Sequence, residues 1–333
     1  MEFRREVLTS EILHPMQRFE PARASVEVRW DPLTGYAARL VRGLSPLLSA
    51  SSFDLAALAA ETRAGCFFCP EKVFDVTPKL PPSVHAEGRI RSGRALLFPN
   101  ILTYSQYSSV SIYAPELHFL PLPDFTGSLM ADNLATQVEY VAAVQRFDPR
   151  AVWASVNANH MLPSGSSLFH PHVQSSVDPV PSTMQEMLSR VPGEVFADYL
   201  ESERAAGERW IADTGSVSWV ASFAPQGFHE VRGFVPGFAS PGELPSPVVA
   251  ELGDGVARVL RLYGELGHQS FNMAMYGAPP GTPSYVLNLR LVVRSSLQPG
   301  PYRSDVTYFE RLHWQAMVDS SPEELAERAR AAF

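Results

Sequence analysis

The feature that most constrains the fold is an order of segments that the 333-residue chain runs through twice. In the first pass, Arg94–Tyr113 is rich in Leu, Val, Tyr and Ser and predicts strands broken near Pro99-Asn100. Gly127–Phe147 then places Leu129, Leu134, Val138, Val141 and Val144 at helical spacing. Ala151–Asn157 and Ser167–Ser175 predict two further strands, joined by a loop over Ala158–Ser166. In the second pass, Ser246–Leu266 is a long amphipathic helix, and Phe271–Tyr276 and Ser284–Arg294 match the two strands. Ser218–Phe234 (SWVASFAPQGFHEVRGF) also echoes Ser109–Phe125 (SVSIYAPELHFLPLPDF), each with a strand, an Ala-Pro and then a histidine. Strand–helix–strand runs are common, but this shared detail favours an internal duplication of an α+β unit. The duplication sets His170 and His172 against Asn288 and Arg290, as one catalytic and one supporting half would.

Ahead of the repeat, the mixed stretch Glu2–Ser25 reads as an arm. Val26–Val41 predicts a hairpin with turn chemistry at Asp31-Pro32-Leu33-Thr34-Gly35. The expected division is therefore an arm over 1–25, a catalytic half over 26–180 and a second half over 181–333.

Charge and composition narrow the ligands. A net charge of −8 argues against a general nucleic-acid binder. Lys72 and Lys79 are the only lysines, so phosphate recognition falls to arginine, histidine, backbone N–H groups or a metal. No apolar run reaches the roughly 18 residues of a membrane span, and Met1–Gln17 lacks a basic-then-apolar signal pattern. The expected location is cytoplasmic.

The chemistry concentrates in His170-Pro171-His172-Val173-Gln174, preceded by Asn159 and by Ser164-Gly165-Ser166-Ser167. On a strand, residues two apart share a face, which would align His170, His172 and Gln174. Pro171 cannot donate to a ladder, which suggests an edge or a distortion. Two imidazoles and an amide donor suit an anionic phosphoryl group: one imidazole attacks phosphorus while the amide bonds a non-bridging oxygen. The Gly-Ser-Ser loop offers further N–H and hydroxyl donors. The bland alternative is two polar histidines on an exposed strand face. Cys66-Phe67-Phe68-Cys69 is the first half of many zinc sites. With no second CxxC, His118 and His170 are the best remaining ligands, giving a closed, structural Cys₂His₂ set. An unmetallated or redox CxxC competes, but redox pairs open a helix after a strand, whereas Phe53–Thr62 just before this one reads as helical.

These residues resemble the galactose-1-phosphate uridylyltransferase branch of the histidine-triad superfamily. The resemblance rests on Gly165-Ser166-Ser167-Leu168-Phe169-His170-Pro171-His172-Val173-Gln174, which is similar to that branch's Gly-x-Ser-x-x-His-Pro-His-x-Gln stretch. Cys66 and Cys69 match its CxxC pair, and His118 matches a histidine a few residues beyond a strand. Asp31–Gly35 resembles an N-terminal Asn-Pro-Leu-Thr-Gly hairpin, and Phe98-Pro99-Asn100 and Asn159 resemble nucleoside- and phosphate-contacting asparagines. Phe309-Glu310 and Ser321–Glu327 resemble a sugar-contacting segment and closing helix, so the likeness spans most of Val26–Phe333.

The resemblance implies an α+β fold of two internally repeated halves, each an antiparallel sheet with packed helices, in a homodimer. It implies His172 as a nucleophile carrying a nucleotidyl intermediate, with Gln174 on the α-phosphate. Gly165, Ser166 and Ser167 would contact phosphate, Asn100 and Asn159 the nucleotide, and Glu310 the sugar. Cys66, Cys69, His118 and His170 would bind a structural zinc ion. The implied reaction is ping-pong transfer of a nucleoside monophosphate between a nucleotide sugar, or a nucleoside triphosphate, and a sugar 1-phosphate. A phosphorylase or hydrolase using the same histidine, and a zinc-stabilised nucleotide-binding protein without turnover, are the alternatives. The chain departs from the branch where a second metal's His-x-His would stand: Asn288-Leu289-Arg290 is there instead, with Tyr276 ahead of it. Leu40-Val41-Arg42-Gly43 and Arg303-Ser304-Asp305-Val306 replace arginine- and lysine-bearing segments on the side that reads the sugar and acceptor phosphate. The chemistry is therefore expected to survive with a changed substrate.

Overall fold

The computed structural model describes residues 1–41, 53–298 and 304–333. Arg42, Gly43 and Arg303, in the two substituted segments, lie outside the described residues. The fold is built on one ten-stranded sheet in the order β4-β5-β6-β8-β7-β12-β13-β11-β10-β9. Its first half comprises β4 (Ile90–Ser92), β5 (Ala95–Pro99), β6 (Tyr107–Ile112), β7 (Trp153–His160) and β8 (His172–Asp178). Its second half comprises β9 (Trp210–Thr214), β10 (Val217–Ala221), β11 (Phe228–Val235), β12 (Phe271–Tyr276) and β13 (Leu287–Val293). Each half runs three strands, a long helix, then two strands, and the halves join where β7 pairs antiparallel with β12. The fold is thus α+β with an internal repeat, fused into one continuous sheet.

Eight helices punctuate the described residues: α1 (Leu55–Thr62), α2 (Val73–Val76), α3 (Gly127–Phe147), α4 (Thr183–Ser189), α5 (Gly193–Ala206), α6 (Ser246–Glu265), α7 (Tyr308–Leu312) and α8 (Pro322–Arg330). The two long ones occupy the spans that their apolar periodicity predicts. Thr126 caps α3 by accepting from the Leu129 N–H, and Pro sits in the first turn of α6. They pack against each other on one face of the sheet, burying Leu134, Val256 and Leu260 with Val173, Leu289 and Leu291 from the strands. Their crossing is close: a Cβ at Gly253 would sit 2.7 Å from the Ala131 nitrogen. No helix among the described residues is long and apolar enough to cross a membrane.

A second sheet runs β1-β2-β3-β14, with β1 (Arg5–His14), β2 (Glu20–Trp30), β3 (Ala37–Val41) and β14 (Gln315–Val318). The predicted hairpin over Val26–Val41 forms, with Val26 opposite Val41. Upstream, β1 and the first part of β2 make a long, largely exposed hairpin.

Two local expectations change. The Ala-Pro…His echo is out of register with the repeat: Ala114-Pro115 follows β6, whereas Ala224-Pro225 follows β10, and the topological partner of β6 is β11. The repeat is real, but that detail is not part of it. The strand expected over Ser167–Ser175 begins only at His172, and Ser167–Pro171 stays a loop. Proline lacks the N–H that a ladder needs, so Pro171 stands just outside an interior strand, between β6 and β7, and at no edge.

Candidate active site and metal cluster

Because the strand starts at His172, the two histidines part company. His172 and Gln174 lie on the sheet face away from α3 and α6, while Val173 between them joins the core. They line a cavity of about 500 Å³ together with Asn100 and Ser167. Its walls are apolar and largely aromatic, from Phe67, Phe68, Phe98, Pro99 and Tyr104. A concave, apolar site with a few convergent polar groups suits a planar base with a charged end.

His170 instead turns inward and is fully buried. Its Nδ1 lies 3.6 Å from Cys66 Sγ and 3.8 Å from Cys69 Sγ, and His118 Nδ1 lies 3.3 Å from Cys69 Sγ. The four ligand atoms all fall within 4.8 Å of one another. A tetrahedron with bonds of about 2.0–2.3 Å has edges of about 3.6 Å, so the set fits a four-coordinate cation. The outer nitrogens agree: His118 Nε2–H donates to the Ala59 carbonyl at 2.9 Å and His170 Nε2–H to the Ala114 carbonyl at 3.0 Å. These bonds fix the tautomer that aims each Nδ1 lone pair at the centre. Burial, with the Cys66 sulfur alongside, pushes the Cys69 thiol up to about 12, and burial lowers His170 to about 3. Both are the responses of a ligand set that a cation would complete.

The cluster reaches the cavity through one bond. His172 Nδ1–H donates to the His170 carbonyl at 2.9 Å, which leaves the Nε2 lone pair free on the cavity side. Burial also lowers the His172 pKa, partly opposed by this bond. Phe68, between the two cysteines, stands edge-on to His172 with ring centroids 5.6 Å apart and to His170 at 5.8 Å. The metal loop therefore forms one wall of the cavity.

The remaining expected residues are scattered. Asn100 Oδ1 accepts from the Leu102 N–H in the turn after β5. Ser166 is turned into its own loop, donating to the Leu168 carbonyl at 2.7 Å, and Gly165, at φ +97, makes the left-handed bend that exposes Ser167. Asn159 lies on the same face as His172 but outside the cavity lining, with its Oδ1 accepting from Asn272. Glu310 is not brought to the cavity: its carboxylate accepts from Thr307 and from the Met317 N–H, as the capping box of α7. The walls at Phe67, Phe68 and Tyr104 carry no signal of their own in the sequence, because an aromatic residue near a strand reads equally well as core.

No known protein-family signature matches the chain. An uncharacterized protein of Archaeoglobus fulgidus is 30% identical over 338 aligned residues, covering 99% of this chain and 98% of that protein. Among solved structures, a GalT-like protein from Arabidopsis thaliana superposes with a TM-score of 0.68 at 17% identity, over 92% of this chain and 98% of that one. An ADP-glucose phosphorylase from Arabidopsis thaliana with bound ADP-glucose gives 0.67 at 16% identity, over 92% and 99%. A uridylyltransferase mutant gives 0.58 at 20% identity, over 92% and 97%. The chain thus belongs to one family with the Archaeoglobus protein, and it shares the fold of the GalT-like protein and of the uridylyltransferase.

Proposed function

We propose that the protein is a nucleotidyltransferase that works through a covalent nucleotidyl-His172 intermediate. The observation that carries this reading is the His172 Nδ1–H bond to the His170 carbonyl, which presents an unprotonated Nε2 to a nucleotide-sized cavity. In the first step Nε2 attacks the α-phosphorus of a nucleotide sugar or nucleoside triphosphate. The bond from that phosphorus to the bridging oxygen breaks, and the electron pair leaves with the sugar 1-phosphate or pyrophosphate. Gln174 donates to a non-bridging oxygen as charge builds there, and the Ser167 hydroxyl and the Gly165 backbone contribute on the loop side. In the second step an oxygen of an acceptor phosphate attacks the same phosphorus, and the N–P electron pair returns to Nε2.

Cys66, Cys69, His118 and His170 hold zinc in this reading, and the ion's contribution is to fix the strand start that carries His172. The acceptor is a sugar 1-phosphate. Inorganic phosphate is the second reading, favoured by the departures at 40–43 and 303–306, on the side expected to read the sugar and the acceptor phosphate. The exposed apolar side chains of the first hairpin, Leu8, Leu13, Met16 and Phe19 among them, support self-association as a homodimer.

The test is the intact mass of the protein after brief exposure to ADP-glucose, UDP-glucose and nucleoside triphosphates, with His172→Ala beside it. A nucleoside-monophosphate increment on the wild type alone is expected. Tight nucleotide binding with no increment from any donor would replace this reading with a binding protein.

A further inference from the structure

The halves meet at the β7–β12 seam, and there a line of polar side chains runs from the second half toward His172. Arg294 holds Asp305 through Nε at 2.7 Å and Nη2 at 2.8 Å, and its Nη1 donates to Asn272 Oδ1 at 2.6 Å. Asn272 in turn donates from Nδ2 to Asn159 Oδ1 at 2.5 Å and to the Ser164 carbonyl at 3.0 Å. The sheet register pairs Asn272 with Asn159. It also pairs Asn157 with Gln174, and carried on by two residues it sets Asn159 opposite His172 on the same face. Side chains so placed have Cβ atoms about 5 Å apart.

The chemistry of these groups leaves one arrangement. A guanidinium only donates and a backbone carbonyl only accepts. Asn272 lies between the two, so its Oδ1 must face Arg294 and its Nδ2 must face Ser164 and Asn159. Asn159 is then obliged to offer Oδ1 across the seam, which turns its Nδ2 toward Gly165, where a Cβ would come within 3.9 Å of it. A donor there attracts a phosphoryl oxygen, whereas an amide oxygen would repel it. We infer that Asn272 and Arg294 are positioning residues for the reaction proposed at His172. The second half fixes the polarity of the Asn159 amide, and Asn272 also ties down the start of the Gly165–Ser167 loop. The inference rests on the nucleotidyl-transfer reading for its consequence, though not for its geometry.

Asn272→Leu and Asn272→Asp test it, each alone and in an Asn159→Ala background. Neither substitution can donate to Ser164 or Asn159, and Asp alone still accepts from Arg294, so a role confined to holding Arg294 predicts the smaller loss for Asp. Leu frees the Asn159 amide to rotate. Asp accepts only, and draws Nδ2 across the seam so that Oδ1 faces the phosphate. The rate of nucleotidyl-His172 formation from ADP-glucose or UDP-glucose should fall about tenfold for Leu and on the order of a hundredfold for Asp. The two should agree within about twofold once Asn159 is Ala, as expected for a coupling that acts through Asn159. Equal losses, a smaller loss for Asp, or an Asp–Leu gap that survives in the Ala background, would overturn the inference. The Asn159 side-chain ¹⁵N amide resonance, assigned by its loss in Asn159→Ala, gives a readout independent of turnover. It should move in both Asn272 variants, and an unmoved signal overturns the relay whatever the activity. Absence of any covalent increment on the wild type would instead sink the transfer reading, with the resonance still deciding the relay.

Discussion

The two halves of the large sheet share a strand order and use the same face in opposite ways. On β8 the face away from the long helices carries His172 and Gln174 beneath an open cavity. On β13 that face carries Asn288 and Arg290, and the space is filled with charge pairs. Asp31, from the turn between β2 and β3, accepts from Arg290 at 2.9 Å and from Arg232 at 3.3 Å, while Glu230 accepts from Arg290 at 3.0 Å. None of these four residues is more than 3% exposed. A repeated scaffold therefore becomes a site only where nothing lids it. In the second half the small sheet supplies a lid, and two guanidiniums and two carboxylates neutralise one another beneath it.

The sharpest way to break this comparison is to remove the central residue of each face. His172→Ala should lower nucleotidylation by about four orders of magnitude or more, as loss of a nucleophile does, and leave the melting temperature within a few degrees of the wild type. Arg290→Met should do the reverse. It strands Glu230 and half of Asp31's pairing in a dry interior, which costs about 3–5 kcal/mol. The rate per folded molecule should hold. Urea unfolding and single-turnover mass measurements separate the two effects. A slower Arg290→Met with unchanged stability would mean that the second face belongs to the site.

A smaller effect is expected from the metal cluster, which acts on the first face through His170 and through Phe67 and Phe68 of the loop between its cysteines. Metal analysis should find one zinc per chain in the wild type and none in Cys66→Ser. The rate should fall about 10–100-fold, the usual effect of losing an outer positioning group, because the carbonyl that holds His172 is no longer fixed. Wild-type protein without zinc would dismiss the four-ligand site.

Much of this contrast was legible in the chain, and its limits are physical. Periodicity located α3 and α6 because one stripe of each faces a single core. The His-Pro-His-x-Gln run marked His170, His172 and Gln174, but the shared-face argument placed His170 beside His172, since spacing cannot show that the strand begins only after Pro171. Arg290 was visible as a departure and Asp31 as a turn residue. That they are two sides of one ion pair was not, because 259 positions separate them and only the packing of the small sheet on the large one brings them together. Asn272 and Arg294 gave no signal at all: a lone asparagine on a strand and an arginine just after one have no pattern until the register places them beside Asn159.

Acid provides the mildest probe, and the difference between the wild type and an Asp31 variant confines it to the second face. Burial by itself would raise the Asp31 carboxyl, but Arg232 and Arg290 beside it outweigh that and hold it at about 2, against an ordinary 3.8. A carboxylate depressed in the folded state contributes stability that is fully present above its unfolded value and is lost as pH falls through its folded value. The window is therefore from about pH 4 down to about pH 2, and the depression is worth roughly 2 kcal/mol there. Asp31→Asn tests it, because the asparagine Oδ1 can still accept from the Leu33 N–H and its Nδ2 can donate to the Thr34 hydroxyl, the two bonds that shape the turn, while the charge is gone. The wild type should exceed Asp31→Asn in urea midpoint at pH 6, and the gap should close by pH 2. A gap of the same size at both pH values would show that Asp31 acts as a turn former, and that the second face is closed by shape with no contribution from its charge.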